Sequence, residues 1–164
     1  MVCGNMIGLT ATEIIWMSVS IRALAAADYD VWLPLWKGYQ EFYKTNIPEE
    51  VTRVTFARIL DEKEPMFAAL AWVSGEAAGL AHWILHRSNW TVGHYCYLQD
   101  LYVASGRRGL GLGRELIEHV YAEAHKAGCA RVHWLTHESN VNAMLLYDRI
   151  ADRSGFVQYR KQLH

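Results

Sequence analysis

A chain of 164 residues is long enough for one well-buried core and short of the usual length for two, and with 52% apolar and 20% charged residues it has the make-up of a globular protein, not a disordered one. A formal net charge of −1 with no Lys/Arg run leaves no electrostatic footprint for nucleic acid or an anionic membrane. Cys3, Cys96 and Cys129 are odd in number, far apart and free of any C-x-x-C pairing, which argues against a disulfide framework or structural zinc and for a reducing, cytoplasmic setting.

Residues 1–16 are fairly apolar, but they lack a basic start and Glu13 interrupts them, so they do not read as a signal peptide. No later stretch reaches the roughly 20 uncharged residues that span a bilayer. Regular patterning starts only at Ser18, so residues 1–17 are expected to be an extension, with Met17 an alternative start, and 18–164 a single domain. Val19 to Arg22 predicts a strand. From Asp28 to Tyr43 large apolar residues (Trp32, Leu35, Trp36, Tyr39, Phe42, Tyr43) recur at helical spacing. Pro48 leads into a second predicted helix ending at Leu60, with Val51, Val54 and Ile59 on its buried face. The period then changes: Met66–Val73, the turn Ser74-Gly75-Glu76 and Ala77–Leu85 predict a hairpin, and after the polar break Arg87–Gly93 a third strand runs over Tyr95–Val103.

Beyond the glycine-rich stretch Gly106–Gly113, the stripe Leu112, Leu116, Ile117, Val120, Ala124 predicts a helix ended by Gly128. Arg131–Thr136 predicts a strand, Asn140 to about Asp152 a helix, and Phe156–Lys161 a last strand. The order β-α-α-β-β-β-α-β-α-β describes a mixed α/β fold, a mostly antiparallel sheet with one parallel crossover through the glycine loop and its helix.

That loop is the most informative segment. Alternate glycines let the backbone approach a ligand, and the first turn of the following helix offers unpaired N–H groups at the positive end of its dipole. Arg108 and Arg114 would add charge-assisted hydrogen bonds, making a diphosphate cradle; the competing reading is a glycine-rich turn with two solvated arginines. Spacing decides the ligand class. Gly109, Gly111 and Gly113 miss G-x-G-x-x-G, whose third glycine would fall on Arg114, and no Gly-Lys-Ser/Thr follows as a P-loop requires. His82 and His86, like His133 and His137, sit i,i+4 on predicted strands, where side chains diverge, so no metal site is expected.

The spacing R-x-x-G-x-G, filled by Arg108, Gly111 and Gly113 directly after Leu98-Gln99-Asp100-Leu101-Tyr102-Val103, resembles the CoA-pyrophosphate loop of the GNAT (Gcn5-related N-acetyltransferase) superfamily. Asn140-Val141-Asn142-Ala143-Met144-Leu145-Leu146-Tyr147 followed by Gly155-Phe156 resembles its N-x-x-A-x-x-L-Y and G-F elements. The likeness covers about residues 18–162. The string Trp134 to Asn140 looks closest to the branch of histone- and polyamine-acetylating enzymes. Tyr147 and Gly155 stand four residues further apart than the common pattern, so the last helix is expected to gain about one turn.

The resemblance implies the GNAT-type acyl-CoA N-acyltransferase fold and transfer of an acetyl group from acetyl-CoA to a primary amine, on a polyamine, amino acid, other small amine or lysine side chain, by direct attack in a ternary complex. It assigns the main chain of Leu101, Tyr102 and Val103 to the pantetheine arm and thioester carbonyl, where an N–H would stabilise the oxyanion. It assigns Arg108, Gly109, Leu110, Gly111, Leu112, Gly113 and Arg114 to the diphosphate, and Asn140 and Asn142 to the CoA arm, with helix capping the rival role for Asn140. Tyr147 matches the tyrosine that protonates the departing thiolate, a transfer only modestly uphill from a phenol near about 10 to a thiol near about 8.5. The base is open. Some relatives carry Glu where this chain has Gln99, and an amide accepts no proton, so a water relay positioned by Gln99, then Asp100, then a histidine such as His133 are the candidates. A silent CoA-binding module is the alternative function. The superfamily likeness and seven tryptophans favour a homodimer.

Overall fold

The computed structural model describes residues 18–163. The expected extension over 1–17, Met17 included, lies outside the described residues. Five strands form one sheet in the order β1 (Val19–Ala23), β2 (Met66–Val73), β3 (Glu76–Arg87), β4 (His94–Val103) and β5 (Arg131–His133). Consecutive pairs are antiparallel through β4, and β5 joins β4 in parallel. The β2–β3 turn is the two-residue Ser74-Gly75, both at positive φ (50° and 84°), the backbone twist that short hairpins need and glycine supplies without penalty.

Helices cover both faces, which explains why β2 reads as an unbroken apolar run and the middle of β3 as one interrupted only by the buried His82, instead of alternating. On one face α1 (Tyr29–Phe42) and α2 (Glu49–Leu60) bury Trp32, Leu35, Trp36 and Phe56 against Leu70 and Leu80. On the other, α3 (Leu112–Lys126) buries Leu112, Leu116, Ile117, Val120 and Ala124, the predicted stripe, against Val73, Ala81, Cys96 and Leu98. α4 (Val141–Ile150) closes that side, with the Tyr121 hydroxyl donating to the Ile150 carbonyl at 3.2 Å. One close approach joins layers: a Cβ on Gly38 of α1 would stand 2.8 Å from Cζ of Tyr102 on β4, so only a bare Cα lets that ring pass.

Four expectations are corrected. The inward face of α2 is Thr52 and Phe56, with the expected Ile59 partly buried against the same core, while Val51 and Val54 are exposed. β5 stops at His133 instead of Thr136, because β4 and β5 part there. α4 ends at Ile150, two residues short of the expected Asp152; Arg153 then folds back on Asp148 with two hydrogen bonds of 2.9 and 2.8 Å. The last strand does not form: Phe156, Val157, Tyr159 and Leu163 are largely exposed and the segment has no sheet partner among the described residues. A β5 edge of three residues gives a sixth strand little to pair with.

Candidate active site

The site begins with an irregularity in β4. His82 pairs with Asp100 but Trp83 pairs with Leu98, so Gln99 is an extra residue, a bulge. It reverses the alternation of the strand. Cys96 and Leu98 point into the α3-side core, whereas Asp100 and Tyr102, also even-numbered, face the α1/α2 side. Parallel pairing with β5 covers only Tyr95–Tyr97, so from Leu98 to Val103 the second edge of β4 is open. That parting is the floor of a cleft of about 580 Å³.

One end of the cleft is the glycine loop. Gly111 is the N-cap of α3 at φ +79°, Gly109 has φ +81°, and a Cβ on either would meet nothing within 4 Å. No side chain caps the helix. Its first-turn N–H groups are therefore free to bind an anion. Arg107, Arg108, Arg114 and Arg149 line the same region. Arg108 Nε donates to the Val103 carbonyl at 3.3 Å and its guanidinium lies 5.5 Å from the Phe42 ring centre, which ties the loop to both β4 and α1. Arg107 is bound to Glu76 and Arg114 stands 3.6 Å from Glu118. An open backbone cradle ringed by guanidiniums has the chemistry to bind a diphosphate.

The middle of the cleft holds Leu101, Tyr102 and Val103 on one wall and Asn140, Asn142 and Tyr147 on the other. The Asn140 side chain makes no cap hydrogen bond; its Nδ2 donates to Thr136 Oγ1 at 3.3 Å, so capping does not explain this residue. Tyr147 packs edge-on against Trp134 with ring centres 5.3 Å apart. Burial, with a smaller contribution from Tyr43, pushes its phenol up to about 12, and it holds its proton at neutral pH.

At the far end, Gln99 is exposed and lines the cleft beside Tyr39 and Tyr43 of α1. Asp100 is buried just behind them. Its carboxylate is within reach of His82 Nδ1 (3.1 Å) and lies close enough to the Tyr39 hydroxyl to raise that phenol. Burial first, then Asp100, raises Tyr39, Tyr43 and Tyr97, so all three phenols are neutral around one carboxylate. The base candidates separate accordingly: Gln99 meets the cleft, Asp100 stands behind its wall, and His133 lies on β5 outside it, 3.1 Å from His86 and stacked on Tyr97.

All but three of the residues predicted from sequence line this one cleft; the exceptions are Leu110 in the loop, Asp100 and His133. The superfamily likeness puts Trp32, Trp36, Tyr39 and Tyr43 together as aromatics able to meet an acceptor; the structure buries the two tryptophans and lines the cleft with the two tyrosines, and it adds Arg149 and Trp134, which sequence reasoning did not assign to the site. For α1 the helical stripe was a usable signal, since Tyr39, Phe42 and Tyr43 continue it past the end of the core. The His82–Asp100 contact gave none, because it depends on the bulge. The His86–His133 approach likewise crosses three strands. Among the described residues no group of three or more His, Cys, Asp or Glu could hold a metal ion, and no helix is long and apolar enough to cross a membrane.

Residues 32–151 match the model of the acetyltransferase (GNAT) family. The chain is 39% identical over 145 residues to the D-amino-acid N-acetyltransferase of Saccharomyces cerevisiae, covering 87% of this chain and 90% of that one. It is 32% identical over 89 residues to the thialysine N-epsilon-acetyltransferase of Caenorhabditis elegans, about half of each chain (54% and 55%). Among solved structures, an aminoglycoside N-acetyltransferase in complex with CoA superposes with a TM-score of 0.78 at 17% identity, over 91% of this chain and 97% of that one. The ribosomal-protein-alanine N-acetyltransferase of Brucella melitensis gives 0.72 at 20% identity, over 89% and 100%.

Proposed function

The chain belongs to the acetyltransferase (GNAT) family and is an acetyl-CoA-dependent acetyltransferase; we propose that it acetylates the primary amine of a small molecule, an amino acid first, by direct attack on the thioester. The observation that carries this is one cleft running from the uncapped α3 N-terminus, past Tyr147, to Gln99, with the Asp100 carboxylate behind its wall. The 39% identity to a D-amino-acid N-acetyltransferase supports an amino acid, and the match to a thialysine enzyme supports a primary amine on a longer arm.

Acetyl-CoA supplies the activated acetyl group. The N–H groups of Leu112–Arg114 and the guanidiniums of Arg108 and Arg114 hold its diphosphate, and the free edge of β4 over Leu101–Val103 lies along the pantetheine arm, an N–H there steadying the thioester oxygen as charge builds. Asn140 and Asn142 orient the arm from the opposite wall. An acceptor arrives as an ammonium and must lose a proton before it can attack. Gln99 holds the water that takes it, and the Asp100 carboxylate behind supplies the negative charge that draws it away. Tyr147 faces the departing sulfur. With its phenol raised to about 12, against about 8.5 for a free thiol, full proton transfer is steeper than for an ordinary tyrosine, so its hydroxyl acts by donating a hydrogen bond to sulfur as the carbon–sulfur bond breaks.

The same proposal treats residues 18–164 as one catalytic domain with 1–17 as an extension, and the active species as a cytoplasmic homodimer. The exposed apolar residues Phe156, Val157, Tyr159 and Leu163 support a second copy as their cover. The test is calorimetric titration with acetyl-CoA, then thiol release with D- and L-amino acids, thialysine, polyamines, aminoglycosides and lysine peptides, and light scattering for mass. Acceptor-dependent release with an amino acid or thialysine is the expected result. Release with lysine peptides alone would overturn the small-molecule assignment.

A further inference from the structure

Three side chains far apart in sequence form a buried chain beneath the acceptor end of the cleft. The Trp32 indole Nε1–H donates to His82 Nε2 at 2.9 Å, and His82 Nδ1 stands 3.1 Å from Asp100 Oδ2. Trp32, His82 and Asp100 are 0%, 4% and 8% exposed. An indole N–H donates and never accepts, so Nε2 of His82 must be a bare acceptor and its proton must sit on Nδ1, where it donates to the carboxylate. Two indoles flank the His82 ring. Trp32 and Trp36 pack on it with ring centres 5.9 and 5.1 Å away, and the two indoles stack on each other. Tyr39, which lines the cleft, lies near enough to Asp100 for the carboxylate to raise its phenol.

We infer that His82 is a positioning residue: locked by Trp32 in the neutral Nδ1–H tautomer, it holds the Asp100 carboxylate in place as the counter-charge for the acceptor amine. A carboxylate at this depth needs donors to stay charged, and an imidazole free to choose its tautomer would supply one only part of the time. Trp32 removes the choice. The same constraint excludes His82 as the proton acceptor, because its basic nitrogen is covered by the indole. This rests on the proposed role of Asp100 in taking charge of the acceptor proton.

The test has a direct readout and a kinetic one. In 15N imidazole NMR of the intact protein, His82 is expected as the neutral Nδ1–H tautomer; the Nε2–H tautomer would overturn the inference without any variant being made. In kinetics with thialysine, or the panel amine turned over faster, His82→Leu should lower kcat/KM for the amine about tenfold or more, the scale of one lost hydrogen bond to a charged group, and Trp32→Phe should lower it by less because the Nδ1–H is still supplied part of the time, with the Kd for acetyl-CoA within about twofold of wild type in both. His82→Asn, which keeps an N–H near the Nδ1 position, should recover most of the loss. Wild-type turnover in His82→Leu beside a defective Asp100→Asn would remove the His82 role alone. Wild-type turnover in Asp100→Asn would remove the underlying proton assignment.

Discussion

Gly111→Ala tests the diphosphate cradle. Gly111 caps α3 at φ +79°, and an alanine Cβ there would touch nothing within 4 Å, so the whole penalty is backbone strain. An L-residue in the left-handed region costs about 1–2 kcal/mol. The loop can keep its shape and carry that strain, in which case thermal stability falls by about 2–8 °C at about 2–4 °C per kcal/mol and affinity is unchanged. Or it can relax, in which case stability is spared and the same free energy must be returned on binding, weakening acetyl-CoA by about five- to thirtyfold. The two losses, from calorimetric Kd and melting temperature on the same sample, should sum to about 1–2 kcal/mol. Gly106→Ala is the control, since that residue is neither crowded nor at positive φ, and it should not lower stability. Wild-type melting and wild-type affinity together in Gly111→Ala would refute the strained-cradle argument.

Tyr147→Phe should lower kcat by about 10²-fold or more while the acetyl-CoA Kd stays within about twofold, read by stopped thiol-release assays and calorimetry. Gly38→Ala forces a methyl against the Tyr102 ring 2.8 Å away and should cost about 1–3 kcal/mol, seen as a lower urea midpoint with an unchanged slope. Asp28 accepts two hydrogen bonds from Arg22 (2.6 and 2.8 Å) and one from the Ala25 N–H (2.8 Å), and the Arg22 contact holds its carboxyl below the ordinary range. A lowered folded value means that the stabilisation is complete above the ordinary carboxylate value of about 4 and is lost as pH falls through the folded one. Asp28→Asn should therefore be about 1–2 kcal/mol less stable at neutral pH and converge with wild type in acid.

What was legible in the sequence was whatever period and local backbone chemistry control. The α3 stripe, the Ser74-Gly75 turn and the glycine loop each depend on residues within one turn or one strand of each other, and each stands where expected. The α2 face was misread because Val51 and Val54 lie close enough on the helix to pass for a stripe, while the true inward pair includes a threonine. The terminal segment failed for another reason: Phe156–Lys161 has strand propensity, but a strand is made by its partner, and the length of the β5 edge is a tertiary fact.

Asp100 illustrates the limit most sharply. On simple alternation it shares a face with Cys96 and Leu98, which would bury a carboxylate in the apolar core under α3, where no donor waits for it. Nothing in Leu98-Gln99-Asp100 announces otherwise. The bulge at Gln99 turns the strand by one residue, and three consequences follow from that single shift: Leu98 still seals the α3 side, Gln99 is left facing the cleft, and Asp100 arrives opposite His82, whose proton Trp32 has already fixed on the near nitrogen. The residue that looked like a missing base is thus the residue that places the charge. A bulge that merely relieved strain would not need a buried donor waiting across the strand, and the presence of one is the reason to read the irregularity as part of the active site.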